Sequence, residues 1–291
     1  MKNSAGQALV LVLLSLAVVL TLVLFILSRT VTDIAVSSRE GEAIRAFSAA
    51  EAGVEQALVI GSGGSGTVGG ATFNAEVSGF AAGLYQFTYP LSLASGESAP
   101  VWFVSHDENG NLLCDATHPC FSGSSLKVCW GREGFPAGSA TTPAIELSVF
   151  YAASPGDYTT LAIGRAAFDP NAGRTASNSF AAPDNGICTI GEETFAFQKT
   201  IDFSDLEVPA GSYTESNGLQ FARARLFYNS DQTQPVGFDV TGGDALPSQG
   251  ISVASSGASG DANRKLDVFQ GWPEAPSIFT YTVFSATDLS K

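Results

Sequence analysis

The chain has 291 residues, with 14 Lys and Arg against 28 Asp and Glu, for a net charge of −14. That balance speaks against nucleic acid as a general partner, because phosphate binding draws on clustered Lys and Arg. A low share of charged residues (14%) together with 31 Gly reads as an exported, β-rich protein, long enough for a head with its own core plus one membrane segment.

Residues 8–27 read ALVLVLLSLAVVLTLVLFIL, with no charge, Pro or Gly, and only Ser15 and Thr21 are polar. At about 1.5 Å per residue this run reaches about 30 Å, the hydrocarbon thickness of a bilayer. A cleaved signal peptide has an apolar core of only about 7–15 residues and a small-residue cleavage site. This run is longer and ends at Arg29-Thr30 without such a site.

Residues 33–58 contain no Pro, and Ile44, Phe47, Ala50, Val54 and Leu58 recur at spacings of three and four. That spacing predicts an apolar stripe on an amphipathic helix, with Arg39, Glu42 and Arg45 on other faces. One helix is therefore expected over residues 7–60, about 80 Å long. The glycine-rich stretch GSGGSGTVGG, residues 61–70, is expected to stop it and to act as a flexible linker.

Beyond residue 70 the pattern changes to period two. Leu126, Val128 and Trp130 alternate with polar positions and Cys129, and Ile145, Leu147, Val149 and Tyr151 alternate with Glu146, Ser148 and Phe150. Further short runs lie at residues 101–104, 158–163, 219–228, 251–254, 265–269 and 279–284, with Gly, Pro, Asn and Asp between them. The predicted class is α+β: a long transmembrane-to-amphipathic N-terminal helix, then a mainly antiparallel β head over residues 71–291. Residues 181–186 are the one candidate seam within that head.

The four cysteines, Cys114, Cys120, Cys129 and Cys188, all fall in the exported part, where an even count favours two disulfides in one of three connectivities. Zinc is the competing reading, since His118 sits between Cys114 and Cys120, but there is no C-x2-C pair. A Cys114–Cys120 bridge closes only a small ring, and bridges of longer reach restrict the unfolded chain more.

Signals for chemistry are sparse. There is no phosphate-binding GxxxxGK[ST] loop and no G-x-S-x-G nucleophile. The run Asp107-Glu108-Asn109-Gly110-Asn111 has a calcium-like look, but Leu112 stands where an EF-hand needs Gly. A polar turn is expected there. No cofactor, no metal and no enzymatic activity are expected.

Lys2, Gly6, the long apolar helix and the segment SREGEAIRAFSAAEAGVEQAL (residues 38–58) resemble the minor type IV pilins of the PilX type, and are similar to the tip pseudopilins of type II secretion. The string at residues 46–55 is its most specific part, and the resemblance covers about a fifth of the chain. It implies a six-residue leader, cleavage after Gly6 by a prepilin peptidase, and Gln7 as the mature N-terminus. It also implies packing against other pilin subunits through the helix, with Arg39, Arg45, Phe47, Glu51 and Glu55 on its surface. Major pilins carry Glu at the fifth mature position; here that position is Leu11, which points to a minor, tip or initiating subunit. The start Gly6-Gln7-Ala8-Leu9-Val10 is also similar to TadE-like pilin-related proteins.

The resemblance places the chain in the cytoplasmic membrane as a single pass, N-terminus inside and head outside, reaching the cell surface on assembly. The Lys/Arg count around the span casts no vote on orientation. A surface adhesin on the same anchor is the alternative function. The ligand of the head is not legible in the sequence.

Overall fold

A computed structural model describes residues 5–107 and 109–274. Helix α1 (Ala5–Ile60) is unbroken over 56 residues, followed by β1 (Gly64–Val68) and β2 (Ala71–Gly79). Then come β3 (Gln86–Thr88), β4 (Ser98–Trp102), β5 (Ser105–His106), β6 (Leu112–Leu113), β7 (Ser125–Arg132), β8 (Ala144–Ala152) and β9 (Leu161–Phe168). The chain continues through α2 (Thr175–Asn178), β10 (Cys188–Ile190), β11 (Glu193–Asp202), α3 (Ala210–Thr214), β12 (Leu219–Phe227), β13 (Val236–Asp239), β14 (Gly250–Ser259) and β15 (Ala262–Gly271). The predicted strand at 279–284 lies outside the described residues. The expected order of a long apolar helix followed by antiparallel β structure is what the chain adopts.

The chain divides into two compact units, Met1–Val77 with Val253–Val268, and Ser78–Ser252 with the residues from Phe269. This corrects the expectation of one head over 71–291: the second unit is an insertion between β2 and β14 of the first. Residues 181–186 are not a seam, because Ala181 bridges to Phe168 and Asp184 to Gln198.

In the first unit, α1 lies on a sheet of order β1-β2-β14-β15. Alternation along β2 turns Ala71, Phe73 and Ala75 inward, as period two requires. The helix presents Ala46, Ala49, Ala50, Val54 and Ala57, all buried. This corrects the predicted stripe, since Ile44 and Phe47 are exposed. The reason is steric: a Cβ at Gly257 of β14 would overlap the Ala46 carbonyl oxygen, so the backbones approach too closely for large side chains to stand between them. Small residues at 46, 50, 53 and 57 follow one face at the helical repeat.

The glycine-rich stretch is a second correction. Gly61 ends the helix, its N–H donating to the Ala57 carbonyl (2.8 Å). Residues 64–68 then form β1, paired antiparallel with β2 from Gly64–Ala75 to Val68–Ala71. A Cβ at Gly66 would lie 2.6 Å from the Phe73 ring, so that glycine makes room for a core side chain.

The second unit is a β-sandwich. One sheet has the order β10-β11-β7-β13-β3 and the other β4-β12-β8-β9, all paired antiparallel. Leu126, Val128, Trp130 and Phe238 of the first belong to one buried cluster with Ile145, Leu147, Val149, Ala222, Ala224 and Leu226 of the second. The Trp130 indole N–H, which burial obliges to find a partner, donates to the Pro143 carbonyl (2.9 Å).

Both disulfides are present, as Cys114–Cys120 and Cys129–Cys188, so no thiolate is left for zinc. Cys129, on the opposite side of β7 from the core, forms a small cluster with Cys188, Ile190 and Phe195. The bridge thus fastens β10 to the outside of its own sheet. With a sequence separation of 59 between its cysteines against 6 in the other, the loop model assigns it roughly 4 kcal/mol against about 2.

Candidate functional site

The helix surface carries every residue singled out for assembly. From Leu9 to Leu27 the large apolar side chains are all exposed, Leu11 at 68%. Among the described residues one helix, Leu9–Ile60, is long and apolar enough to cross a membrane. Hydrocarbon offers no partner for a stray polar group, and the two hydroxyls in the run meet that demand internally. Ser15 donates to the Val12 carbonyl (2.9 Å) and Thr21 to the Val18 carbonyl (2.8 Å). Thr30 and Thr32 likewise donate to the carbonyls of Ile26 and Ser28. Gly6 and Gln7 are helical in backbone; their side chains, and Lys2, lie outside the described residues.

Arg39, Arg45, Glu51 and Glu55 are all exposed, and Phe47 is 42% exposed. No ion pair among the described residues joins these charges to one another. At about 100° per residue, Arg45 and Glu51 stand about 120° apart around the helix, so they cannot pair within one chain. Glu51 and Glu55 lie on the side away from Ala46, Ala50 and Gly53. Ile44 and Phe47 share that outward side, leaving an apolar pair beside two carboxylates with no covering element among the described residues. The sequence signal missed was the small-residue spacing, which marks the covered face of α1.

Two larger clefts lie in the sandwich unit. One, of about 690 Å³, is lined by Phe80, Leu84, Tyr85, Phe87 and Ile190. The other, of about 680 Å³, is lined by His106, Asp115, His118, Asp244, Ser248 and the Cys114–Cys120 bridge, and both fall in the size range of small-molecule sites. Asp115 Oδ1 receives the Thr117 hydroxyl (2.7 Å) and the amides of Thr117 and His118, with His118 Nδ1 at 3.0 Å. The Thr117 hydroxyl first, then the His118 ring, holds that carboxyl well below its usual range. A carboxylate so occupied orders its own turn. Asp107 behaves alike, receiving both Asn111 groups and the Asn109 amide. This is the polar turn expected there.

Among the described residues no group of three His, Cys, Asp or Glu is placed to hold a metal. His106 makes the cleft's most distinctive contacts. Its ring meets the Trp102 ring edge-on at 4.5 Å and stacks on Trp272 at 4.7 Å and 11°. Sequence reading could not have found this cluster, because Trp272 lies 166 residues from His106 and no local pattern links them.

Compared with protein-family models, with curated proteins and with solved structures, the chain gives no match.

Proposed function

We propose that the chain is a minor pilin or pseudopilin-like structural subunit, acting in the initiation, tip or surface display of a type IV pilus or a type II secretion-like filament. One observation carries this reading. A single unbroken helix has an N-terminal part exposed and apolar on all sides and a C-terminal part seated on a sheet by its small residues. The first part suits lipid before assembly and other helices after it; the second fixes the helix to folded protein. The pilin-like segment at residues 38–58 and Leu11 at the fifth mature position support a minor over a repeating subunit.

In this reading a prepilin peptidase removes residues 1–6 and the helix anchors the chain, N-terminus inside, until it enters a filament. Mass spectrometry of the membrane-extracted protein should give a chain beginning at Gln7. An intact Met1 start in a host with active prepilin peptidase would overturn the proposal.

Glu51 and Arg45 provide a second test, since neither has a partner in its own chain among the described residues. If Glu51 meets Arg45 of a neighbouring subunit, Glu51→Arg should lower filament incorporation about tenfold, the effect of roughly 1.4 kcal/mol at a partly buried charge pair. Adding Arg45→Glu should restore most of it. A double variant as poor as the single one counts against the pairing.

A surface adhesin on the same anchor is the second reading. It is favoured by the inserted sandwich, a separate unit with clefts that helix packing does not require. Binding of the detergent-solubilised chain to a glycan array, lost on blocking either cleft, would favour it.

A further inference from the structure

We infer that residues 275–291, which lie outside the described residues, dock across the outer face of the sheet β4-β12-β8-β9 and cover an aromatic row there. The inference concerns the sandwich unit alone and does not depend on the filament reading.

Alternation builds this face. Along β12, Ala222, Ala224 and Leu226 enter the core, so Phe221 and Arg223 stand on the other side. The same alternation sends Trp102 of β4, Phe150 of β8 and Ile163 of β9 outward. Cross-strand register sets them in one line: Trp102 opposite Phe221, Phe221 opposite Phe150, and Phe150 opposite Ile163. Trp102 and Phe221 approach to 4.8 Å between ring centres, Phe221 and Phe150 to 4.2 Å. The row spans all four strands and ends at Ile163, which is 37% exposed.

Beside it runs a second line, in which Arg223 lies opposite Ser148 and Ser148 opposite Arg165. A sheet face open to water shows its polar side chains to solvent. Here Trp102 is 5%, Arg223 4% and Ser148 2% exposed, although all three stand away from the core. A face that buries a cation and a hydroxyl on its outer side behaves as an interface.

The described chain leads onto that interface. Trp272, directly after β15, stacks on His106 (4.7 Å) and donates its indole N–H to the Ser248 carbonyl (2.8 Å). His106 in turn meets Trp102 at the β4 end of the row. Two residues on, Glu274 Oε2 accepts from Nε of Arg223 (2.9 Å) and pairs with Nη2 (2.8 Å). Phe150 and Phe221 each lie 5.9 Å from that guanidinium. The chain thus advances from β4 to β12. Strands β8 and β9 lie about 5 and 10 Å further on, and four extended residues at about 3.3 Å each reach from Glu274 to β9.

The sequence that follows suits this course. Pro276 biases Ala275 towards an extended backbone. Phe279, Tyr281 and Val283 then recur at period two, and Asp288 and Lys291 are the only charged side chains in 275–291. Such a segment gains by leaving water. Tethered at Glu274, it meets the face at an effective concentration of roughly millimolar order, which a second copy in dilute solution does not match.

Photo-crosslinking in the full detergent-solubilised chain tests this. With p-benzoylphenylalanine in place of Phe150 or, separately, of Ile163, irradiation should join either position to residues 275–291 of the same chain. A mixture of isotope-labelled and unlabelled chains distinguishes a second copy. Cross-links between copies, to other segments only or to detergent only overturn the inference. Amide exchange gives an independent readout: amides 278–284 should exchange on the order of 100-fold more slowly than an unstructured chain. Ile163→Asp puts a charge at the end of the row and should speed them about tenfold, while β7 amides keep their protection. Ile187→Asp, at a 64% exposed position off this face, should change nothing. Exchange at the unstructured rate in the wild-type chain, or protection indifferent to Ile163→Asp, counts against the docking.

Discussion

Gly257→Ala is expected to unseat the helix from its sheet, at a cost of about 3 kcal/mol, the upper end for over-packing. The added methyl would overlap the Ala46 carbonyl oxygen and lie 2.6 Å from the Ala50 backbone nitrogen. Both neighbours are backbone atoms of a continuous helix, so no rotamer change relieves the clash, and a packed interior transmits it. The sheet must move away, which loosens Ala46, Ala49, Ala50 and Phe73 together. Hydrogen exchange of amides 46–57 in the detergent-solubilised chain should speed up about 100-fold, the equivalent of that cost at 1.4 kcal/mol per decade. Gly138→Ala, where an added Cβ meets nothing within 4 Å, serves as the control and should change stability by less than about 0.5 kcal/mol. Equal protection in Gly257→Ala and wild type would show that the backbones do not approach this closely.

Arg174→Ala should destabilise the sandwich by roughly 3–5 kcal/mol, the usual cost of leaving a buried charge alone. Asp169 is 1% exposed and accepts from Nε (3.0 Å) and Nη2 (2.8 Å) of Arg174, from Asn178 (2.7 Å) and from the Asn171 amide (2.8 Å). Arg174 also donates to the carbonyls of Ala140 and Thr142 and lies 4.0 Å over the Tyr228 ring. Its removal strands the carboxylate and frees two carbonyls at once. All three tryptophans, Trp102, Trp130 and Trp272, belong to the sandwich unit, so fluorescence-monitored urea unfolding reports that unit specifically. Asp169→Asn combined with Arg174→Ala should recover part of the loss, because the stranded group then carries no charge. A loss below about 1 kcal/mol in the single variant would mean that the pair is solvated and carries little.

The helix was legible almost to the residue. An apolar run without breakers fixes its own hydrogen bonds, and Gly61 stops it where the glycine-rich stretch begins. The strands at 125–132 and 144–152 were legible because alternation is a local property of a half-buried chain. The covered face of the helix was read only in part: Ala50 and Val54 are buried, but Ile44 and Phe47 are exposed. Ile44 and Phe47 carry more apolar area than Ala46 or Ala50, so a sum over hydrophobicity chooses the wrong side. The choice is made by Gly257 and Ser255, two hundred residues away, through how near the two backbones can come.

The glycine-rich stretch fails for a related reason. Composition cannot distinguish a glycine that gives freedom from one that makes room, and Gly66 makes room for Phe73. The charged residues marked for assembly are exposed on the helix, and no partner for Glu51 or Arg45 is found within the chain among the described residues. The aromatic cluster at His106 left no trace in the sequence, because its members come from β4, β5 and the residue that follows β15.

By itself, then, the sequence determined the properties carried by runs of neighbouring residues: an apolar helix able to cross a membrane, a β-rich remainder and four cysteines suited to an oxidising compartment. Tertiary structure decided the rest: the insertion of a sandwich between β2 and β14, the pairing of the cysteines, the seating of the helix by its alanines and the contact of His106 with the indoles of Trp102 and Trp272. The physical reason is range. Hydropathy and backbone propensity act within a few residues, whereas steric fit and the matching of buried polar groups depend on atoms that only folding brings together.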